Sequence, residues 1–269
     1  MTRGPQRPAV GNRTAVRIVS YDAGASVRSL LEADDLGAHA AALDPRVGRP
    51  LDGVKLLPPV LDPDKILCLG LNYRAHAAEA GIEPPESPTF FAKFRNALAG
   101  PGALVPLPNS SEKVDFEAEV AFVIRRRAKD VEAPDAIDHV AGYMLFNDLS
   151  ARDLQFGTPQ WMPGKVFDGS APCGPYLVTP DEVRHDEIGF SLRLNGEVMQ
   201  EASTADLIFS VPELVSRLSA LMTLEPGDVI STGTPSGVGS TREPRVWLKP
   251  GDEIAIESAA LGRLETRIG

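Results

Sequence analysis

The stretch VDFEAEVAFVI, residues 114–124, decides the fold class of this chain. Alternate residues of a β-strand point to opposite faces of a sheet, so Glu117 and Glu119 share one face. That face continues through Ala121 and Val123, and the opposite face is apolar throughout. Because a solvent-facing strand would keep one face polar, we predict a buried strand whose two carboxylates point into an enclosed cavity.

Short strand patterns separated by turns surround this stretch. The composition of 24 Gly and 24 Pro in 269 residues also favours turns over long helices. Asn195 and Gly196 form the residue pair expected of a tight hairpin. One packing helix is predicted after Ser210, with Glu213 completing a capping box. The sequence therefore predicts a mixed β fold with some α-helix.

The N-terminal part of the chain differs from the remainder. Residues 1–14 are rich in Pro, Gly and Arg, and we expect them to be poorly ordered. A short strand and an amphipathic helix over residues 26–42 follow, and a proline-rich connector comes next. We therefore predict a small N-terminal domain over residues 1–60 and a catalytic domain over residues 61–269.

Charge and composition exclude several kinds of partner. The formal net charge is -10 and the pI is near 5.0, so no basic field attracts nucleic acid. No continuous apolar stretch is long enough to span a bilayer. Cys68 and Cys173 are far apart and lack any partner motif, which argues against a disulfide framework. We expect a cytoplasmic protein with neither nucleic acid nor a membrane as partner.

The paired glutamates require a compensating group. Two like charges about 4 Å apart repel by roughly 4 kcal/mol at an effective dielectric constant of about 20. A shared proton, a basic partner or a divalent cation would each relieve this repulsion. Oxygen ligands suit Mg²⁺ or Mn²⁺, with Ca²⁺ as a substitute. Asp148 ends another apolar strand pattern, where it is either a third ligand or the N-cap of the residues that follow.

Three further residues carry possible chemistry. His76 and Glu79 are spaced so that one helical turn brings them to the same face, where they would activate a water or form an ordinary surface pair. Lys165 lies between Gly164 and an apolar dipeptide, an unusual place for a solvated lysine. A buried salt bridge to one of the acidic groups explains its position and is compatible with catalysis.

The sequence resembles the fumarylacetoacetate hydrolase family from about residue 65 to the C-terminus. An ordered series of motifs carries this resemblance: GLNYRAHAAE at 70–79, DFEAEVAFVI at 115–124, FNDLSARDLQ at 146–155, QWMPGKVFDGSAPCGP at 160–175, LNGEVMQ at 194–200 and STGTPSGVG at 231–239. The family fold implied is a β-sandwich or β-roll catalytic domain, usually dimeric, with a small N-terminal domain. The region before residue 60 resembles the family only weakly.

The resemblance also implies roles for particular residues. The implied ligands of Mg²⁺ or Mn²⁺ are Glu117, Glu119 and Asp148. The implied catalytic residues are the dyad His76 and Glu79, together with Lys165, which faces the substrate. The implied substrate-binding residues are Arg152, Gln155 and Thr234. The implied assembly is a homodimer.

The function predicted first is hydrolysis of a C–C bond in an acylpyruvate-type 2,4-dioxo acid through a metal-stabilised pyruvate enolate. Decarboxylation of a β-keto acid such as oxaloacetate is an alternative, as is isomerisation of an unsaturated 2-oxo dicarboxylic acid. Each of these reactions uses the same site and a small 2-oxo acid substrate. Two less favoured alternatives are an aldolase that forms a Schiff base at Lys165 and a non-catalytic metal-binding protein.

Overall fold

The computed structural model describes residues 54–79 and 81–269, together with residues 26–34 and positions 17–18, 36, 38, 42 and 49–50. In chain order the strands are β1 (Arg17–Ile18), β2 (Arg49–Pro50), β3 (Ile66–Gly70), β4 (Thr89–Lys93), β5 (Leu98–Ala99), β6 (Ala103–Val105), β7 (Val114–Asp115), β8 (Ala118–Ile124), β9 (Val140–Asn147), β10 (Ser150–Ala151), β11 (Ala171–Val178), β12 (Gly189–Leu194), β13 (Glu197–Ser203), β14 (Val229–Ser231), β15 (Glu253–Ser258) and β16 (Gly262–Ile268). The α-helices are α1 (Val27–Glu32), α2 (Arg74–Glu79), α3 (Arg152–Gln155) and α4 (Val211–Leu221).

Two mixed sheets dominate the described part of the chain. The larger sheet has seven strands in the order β4-β3-β14-β8-β9-β11-β5, and the smaller has five in the order β13-β12-β15-β16-β6. Most neighbouring strands are antiparallel, but β3 pairs with β14, β5 with β11 and β6 with β16 in parallel. The sheet-rich architecture with few helices agrees with the fold class predicted from the sequence.

Strand β8 lies in the middle of the larger sheet and is buried on both faces. Side chains on one of its faces, such as Phe122, belong to the larger hydrophobic core. The opposite face places Ala121 and Val123 in a second core with Cys68 and Phe146. This division follows the predicted alternation, and the face with the second core is the one on which Glu119 lies.

The prediction of one strand over residues 114–124 is wrong at its start. Strand β7 ends at Asp115, and β8 begins only at Ala118. Side-chain oxygens accept hydrogen bonds from the backbone N–H groups at this break. Phe116 N donates to the Asp115 carboxylate, Glu117 N to Asn147 Oδ1 and Ala118 N to Gln200 Oε1. These bonds replace the ladder of a neighbouring strand, so Glu117 lies in a connection between strands.

Two local predictions from turn and cap chemistry are confirmed. Asn195 and Gly196 have φ angles of 51° and 86°, and they join β12 to β13 in an antiparallel hairpin. Helix α4 follows Ser210, whose backbone N donates to Glu213 Oε2 over 2.8 Å. The buried residues of α4 include Leu214, Val215 and Leu218, and therefore this helix packs on the core as expected.

The N-terminal predictions are only partly within the described residues. The helix predicted over residues 26–42 is confirmed at its start but not in its length, because α1 begins after its N-cap Ser26 and ends at Glu32, with Ala33 as its C-cap. Residues 1–14 lie outside the described part, and the domain division at residue 60 stays a prediction. None of the helices in the described part has the length and apolar character that a bilayer-spanning segment needs.

Candidate metal centre and active site

Three buried carboxylates meet where β8 and β9 pair in the larger sheet. Glu119 lies in β8 opposite Phe146, and Asp148 follows directly after the end of β9. Glu117 is held beside them because Asp148 N donates to its backbone oxygen over 2.9 Å. One carboxylate oxygen from each of the three residues lies within 4.8 Å of the others. The structure therefore brings together the three predicted metal ligands.

Two buried lysines bind the Asp148 carboxylate. Lys93 Nζ donates to Oδ1 over 2.6 Å, and Lys165 Nζ donates to Oδ2 over 2.7 Å. Lys165 also donates to Glu117 Oε2 over 2.6 Å, so its ammonium bridges two members of the triad. Asp148 does not cap the helix that follows, because the N-cap of α3 is Ala151. The alternative structural role for Asp148 is therefore not found.

The environment of Lys165 keeps its amine protonated. Burial favours the neutral amine, but the charges of Asp148 and Glu117 outweigh burial and raise the pKa of Lys165. Its Nζ also lies 4.8 Å from the centre of the Phe91 ring. A Schiff base requires a neutral amine, so this environment disfavours the aldolase alternative.

Glu117 is ionised by its basic neighbours. Burial opposes ionisation, but the charges of Lys165 and Arg152 outweigh it and lower the pKa of Glu117 to about 2. Arg152 Nη1 lies 2.8 Å from Glu117 Oε1 and 2.9 Å from Gln155 Oε1. The Nε and Nη2 atoms of the same guanidinium contact the Asp115 carboxylate, which fixes the orientation of Arg152. Arg152 is thus rigidly held beside the triad.

The pKa of Glu119 is shifted in the opposite direction from that of Glu117. The Ser231 hydroxyl and the Gly233 backbone N donate to its Oε2 atom. Its Oε1 atom is buried and has no hydrogen-bond partner among the described residues. Burial first, and then the charges of Asp148 and Glu117, raise the pKa of Glu119 well above its ordinary value. An unpaired buried carboxylate oxygen is costly, and a cation bound to Oε1 would remove that cost.

The net charge of the buried groups at the site is compatible with a bound cation. The acidic members are Asp115, Glu117, Glu119 and Asp148. The basic members are Lys93, Arg152 and Lys165. Four negative charges against three positive ones leave one negative charge when every group is ionised. Carboxylate oxygens alone form the donor set of the triad, and such hard ligands fit Mg²⁺ or Mn²⁺. The residues present therefore fit a divalent metal.

His76 and Glu79 form a pair on α2. His76 Nδ1 lies 3.1 Å from Glu79 Oε2, while Glu79 Oε1 accepts a hydrogen bond from Gly237 N over 3.0 Å. Both carboxylate oxygens of Glu79 are thereby engaged, which fixes the orientation of the imidazole. With Nδ1 donating to Glu79, the Nε2 atom of His76 keeps a lone pair that can accept a proton.

A cavity of about 170 Å³ connects these groups. The predicted site residues that line it are His76, Glu117, Arg152, Gln155, Lys165 and Thr234. Glu119 and Asp148 are not part of the lining but lie next to Glu117 in the triad. The basic side chains of the lining can therefore bind a small anion, and the His76 imidazole can accept or donate a proton at the same cavity.

Sequence reasoning missed several residues that hold this site. Lys93 is fully buried in β4 and binds Asp148, and Asp115 accepts hydrogen bonds from Gly239 N and Ser240 N as well as from Arg152. Gln200 Nε2 donates to Thr234 Oγ1 over 2.9 Å and so fixes another wall residue. Lys93 had a detectable signal, because it follows the apolar strand pattern TFFA. Gln200 ends the LNGEVMQ motif, but its partners Ala118 and Thr234 are remote in sequence, so its role in the site was not predicted.

Comparison with known proteins agrees with the resemblance found in the motifs. Residues 65–269 match the family described as fumarylacetoacetate (FAA) hydrolase C-terminal. Because this match covers most of the chain, the protein belongs to the fumarylacetoacetate hydrolase family and is an enzyme. Enzymes of the family use divalent metals, and the buried triad offers a site for one.

The individual relatives carry names for different reactions. The mitochondrial oxaloacetate tautomerase FAHD2A of Bos taurus is 44% identical over 222 residues, which are 81% of this chain and 71% of the relative. The 2-hydroxyhepta-2,4-diene-1,7-dioate isomerase of Mycobacterium marinum has a TM-score of 0.73 and 37% identity, covering 84% of this chain and 82% of that chain. The fumarylacetoacetate hydrolase of Exiguobacterium antarcticum has a TM-score of 0.80 and 33% identity, covering 90% and 87%.

Proposed function

We propose that this enzyme isomerises a short 2-oxo dicarboxylic acid by moving a proton between C3 and the oxygen on C2, as in the keto–enol tautomerisation of oxaloacetate. The sequence predicted isomerisation only for an unsaturated 2-oxo dicarboxylic acid and named oxaloacetate only for decarboxylation, so tautomerisation extends the isomerase alternative to a further substrate. The names of the tautomerase and isomerase relatives support it better than they support the C–C bond hydrolysis predicted first.

The observation that carries the proposal is the placement of a held imidazole and a buried ammonium on the same small cavity. His76 is oriented by Glu79, and Lys165 is kept charged by Glu117 and Asp148. Both His76 and Lys165 line the cavity. A base and an acid that face one bound molecule are what transfer of a proton between neighbouring atoms requires.

The proton movements then follow from these groups. His76 Nε2 removes a proton from C3 of the keto acid, and the electron pair of the C3–H bond forms the C2–C3 double bond. The C2 oxygen takes a proton from the Lys165 ammonium, which completes the enol. Water in the cavity returns the proton from the imidazolium to the amine. No bond between carbon atoms is broken, and the reverse reaction uses the same groups.

The remaining parts of the site bind and orient the substrate. A metal held by Glu117, Glu119 and Asp148 would supply positive charge that stabilises negative charge developing on the substrate oxygens. We assign Arg152, Gln155 and Thr234 to the substrate-binding wall, as the resemblance implied. Asp115 and Gln200 hold Arg152 and Thr234 in place, so these two wall residues are preorganised for binding.

The test follows the enol and the cleavage product separately. The enol form of oxaloacetate is added to protein filled with Mg²⁺ or Mn²⁺, and loss of enol absorbance is recorded. A coupled lactate dehydrogenase assay detects pyruvate from oxaloacetate and from a panel of acylpyruvates. We expect rapid, EDTA-sensitive loss of the enol with pyruvate released only at the background rate.

A different result would change the assignment. Hydrolysis remains the second candidate because the Exiguobacterium antarcticum relative is a hydrolase by name and because a His–Glu pair can also activate water. Pyruvate release from an acylpyruvate, with enol loss at the rate without enzyme, would favour hydrolysis. Pyruvate release from oxaloacetate alone would favour decarboxylation.

Two further properties are predicted from the sequence and from the family resemblance. The homodimer implied by the family resemblance is a prediction, and sedimentation velocity of the purified chain checks it. The cytoplasmic localisation expected from the sequence also stays a prediction. The name of the Bos taurus relative places that protein in mitochondria.

A further inference from the structure

One residue of the cavity wall, Trp161, belongs to none of the roles assigned above. The lining divides by chemistry into the polar groups already described and an apolar group. The apolar group consists of Leu69, Leu71, Ile82, Phe91, Phe156 and Trp161. Polar groups suffice to hold the reacting carbons and their oxygens. The apolar group borders the space that remains for the carbon chain of the substrate.

Trp161 is fixed by its neighbours from two strands. Its indole fills the space beside Gly70, where an added Cβ would lie only 2.3 Å from Trp161 Cζ3. Its ring also meets Phe91 edge to face, with ring centres 6.1 Å apart. Phe91 in turn lies under the Lys165 ammonium. The aromatic wall thus begins at the proposed acid and continues to the indole.

The backbone fixes Trp161 as well. The residue directly precedes the 3-10 helix Met162–Gly164, and Gly164 N donates to the Trp161 carbonyl over 3.0 Å. Gly164 packs so closely on α3 that an added Cβ would lie 2.5 Å from Ala151 O and Gln155 N. The turn that delivers Lys165 therefore also holds the indole at a set distance from it.

We propose that Trp161 is a specificity-determining residue that limits the length of the 2-oxo dicarboxylic acid the site accepts. This inference rests on the proposed function, because it deepens the substrate class of the same site. A cavity of about 170 Å³ is already smaller than the roughly 300 Å³ at which pockets for drug-sized ligands begin. A rigid indole bordering so small a space excludes carbon chains that extend beyond it.

Stable acids of increasing length test this role by binding alone. Protein saturated with Mg²⁺ is titrated in a calorimeter with 2-oxoglutarate, 2-oxoadipate and 2-oxopimelate, which have five, six and seven carbons. The variants are Trp161→Leu and the matched control Trp247→Leu, since Trp247 does not line the cavity. Thermal unfolding of each variant verifies that it is folded.

The expected result is a change in length preference. The wild type should bind 2-oxoglutarate at least about tenfold more tightly than 2-oxopimelate, because one misfitting methylene costs about tenfold or more. Trp161→Leu should narrow this difference by about tenfold, and Trp247→Leu should keep it. If Trp161→Leu fails to fold, Trp161→Phe should narrow the difference in the same direction by a smaller factor.

Other outcomes overturn the inference or separate it from the proposed function. Equal length preference in the wild type and a folded Trp161 variant would overturn the role of Trp161, as would the absence of binding by every acid. Length-dependent binding that Trp161→Leu relaxes, without accelerated loss of the enol, would sink the proposed tautomerisation and leave the role of Trp161 standing. If the wild type accelerates loss of the enol but Trp161→Leu keeps the length preference of the wild type, the proposed tautomerisation stands and the role of Trp161 is overturned.

Discussion

Glu119 is the residue of the triad that depends most on a bound cation. Glu117 and Asp148 have lysine or arginine partners, whereas Glu119 Oε1 has none among the described residues. Burial of an unpaired carboxylate costs several kcal/mol even after the protein has relaxed around it. Metal binding is the interaction that best offsets this cost.

We therefore predict that Glu119→Ala abolishes binding of Mg²⁺ and Mn²⁺ in calorimetry. The loss should exceed the roughly 10- to 100-fold that removal of a supporting residue around a metal causes. The control is Glu201→Ala, which removes an exposed glutamate from β13. If Glu119→Ala retains the wild-type affinity, the assignment of this triad to the metal is wrong.

The His76–Glu79 pair gives a second prediction at this scale. His76→Gln should lower the rate of enol loss by roughly 10²- to 10⁴-fold, the usual contribution of a positioned base. Glu79→Gln keeps a hydrogen-bond acceptor for the imidazole and should cost less. Steady-state kinetics measure both rates, and calorimetry should find the metal affinity unchanged. Equal rates in the wild type and His76→Gln would remove His76 from the mechanism.

At the scale of single elements, the capping box of α4 makes a prediction about stability. A hydrogen bond from the Ser210 hydroxyl, and then one from its backbone N, lower the pKa of Glu213. Glu213→Ala should cost about 0.5–1.5 kcal/mol of unfolding free energy, the usual net contribution of a hydrogen bond, or a few degrees in melting temperature, while enzyme activity stays unchanged. Glu213→Gln is the matched control that keeps an acceptor and removes the charge.

The sign of the pH dependence follows from the lowered pKa of Glu213. Its stabilisation is fully present above the unfolded-state pKa of about 4.3 and is lost as the pH falls through the lower folded-state value. The difference in melting temperature between the wild type and Glu213→Ala should therefore shrink as the pH is lowered from 7 toward 3. A difference that grows on acidification would contradict the capping role.

Elements were predicted from the sequence where local chemistry decides them. The Asn195–Gly196 hairpin and the start of α4 depend on residues within a few positions of one another, and both are confirmed. The start of β8 was not predictable in this way. Glu117 N and Ala118 N donate to the side-chain oxygens of Asn147 and Gln200, which interrupts the strand pattern before Ala118. These acceptors lie 30 residues from Glu117 and 82 residues from Ala118.

At the scale of the whole molecule, the site is a product of contacts between distant segments. Lys93 meets Asp148 across 55 residues, Lys165 meets Glu117 across 48, and Ser231 meets Glu119 across 112. Residue types and motif order predicted the acidic triad and the cavity residues. The sequence also predicted a buried salt bridge of Lys165 to one of the acidic groups. The contact of Lys93 with Asp148 and the unpaired oxygen of Glu119 were not predicted, because they depend on segments that only the folded sheet brings together.

The most direct test of the account is exchange of the C3 hydrogens of oxaloacetate with solvent deuterium, followed by NMR in D₂O. This measurement observes removal of the C3 proton without requiring any net reaction. We predict that protein filled with Mg²⁺ or Mn²⁺ accelerates the exchange, that EDTA abolishes the acceleration, and that His76→Gln reduces it by roughly 10²-fold or more. Exchange at the same rate with and without metal-filled enzyme would contradict the proposed proton transfer.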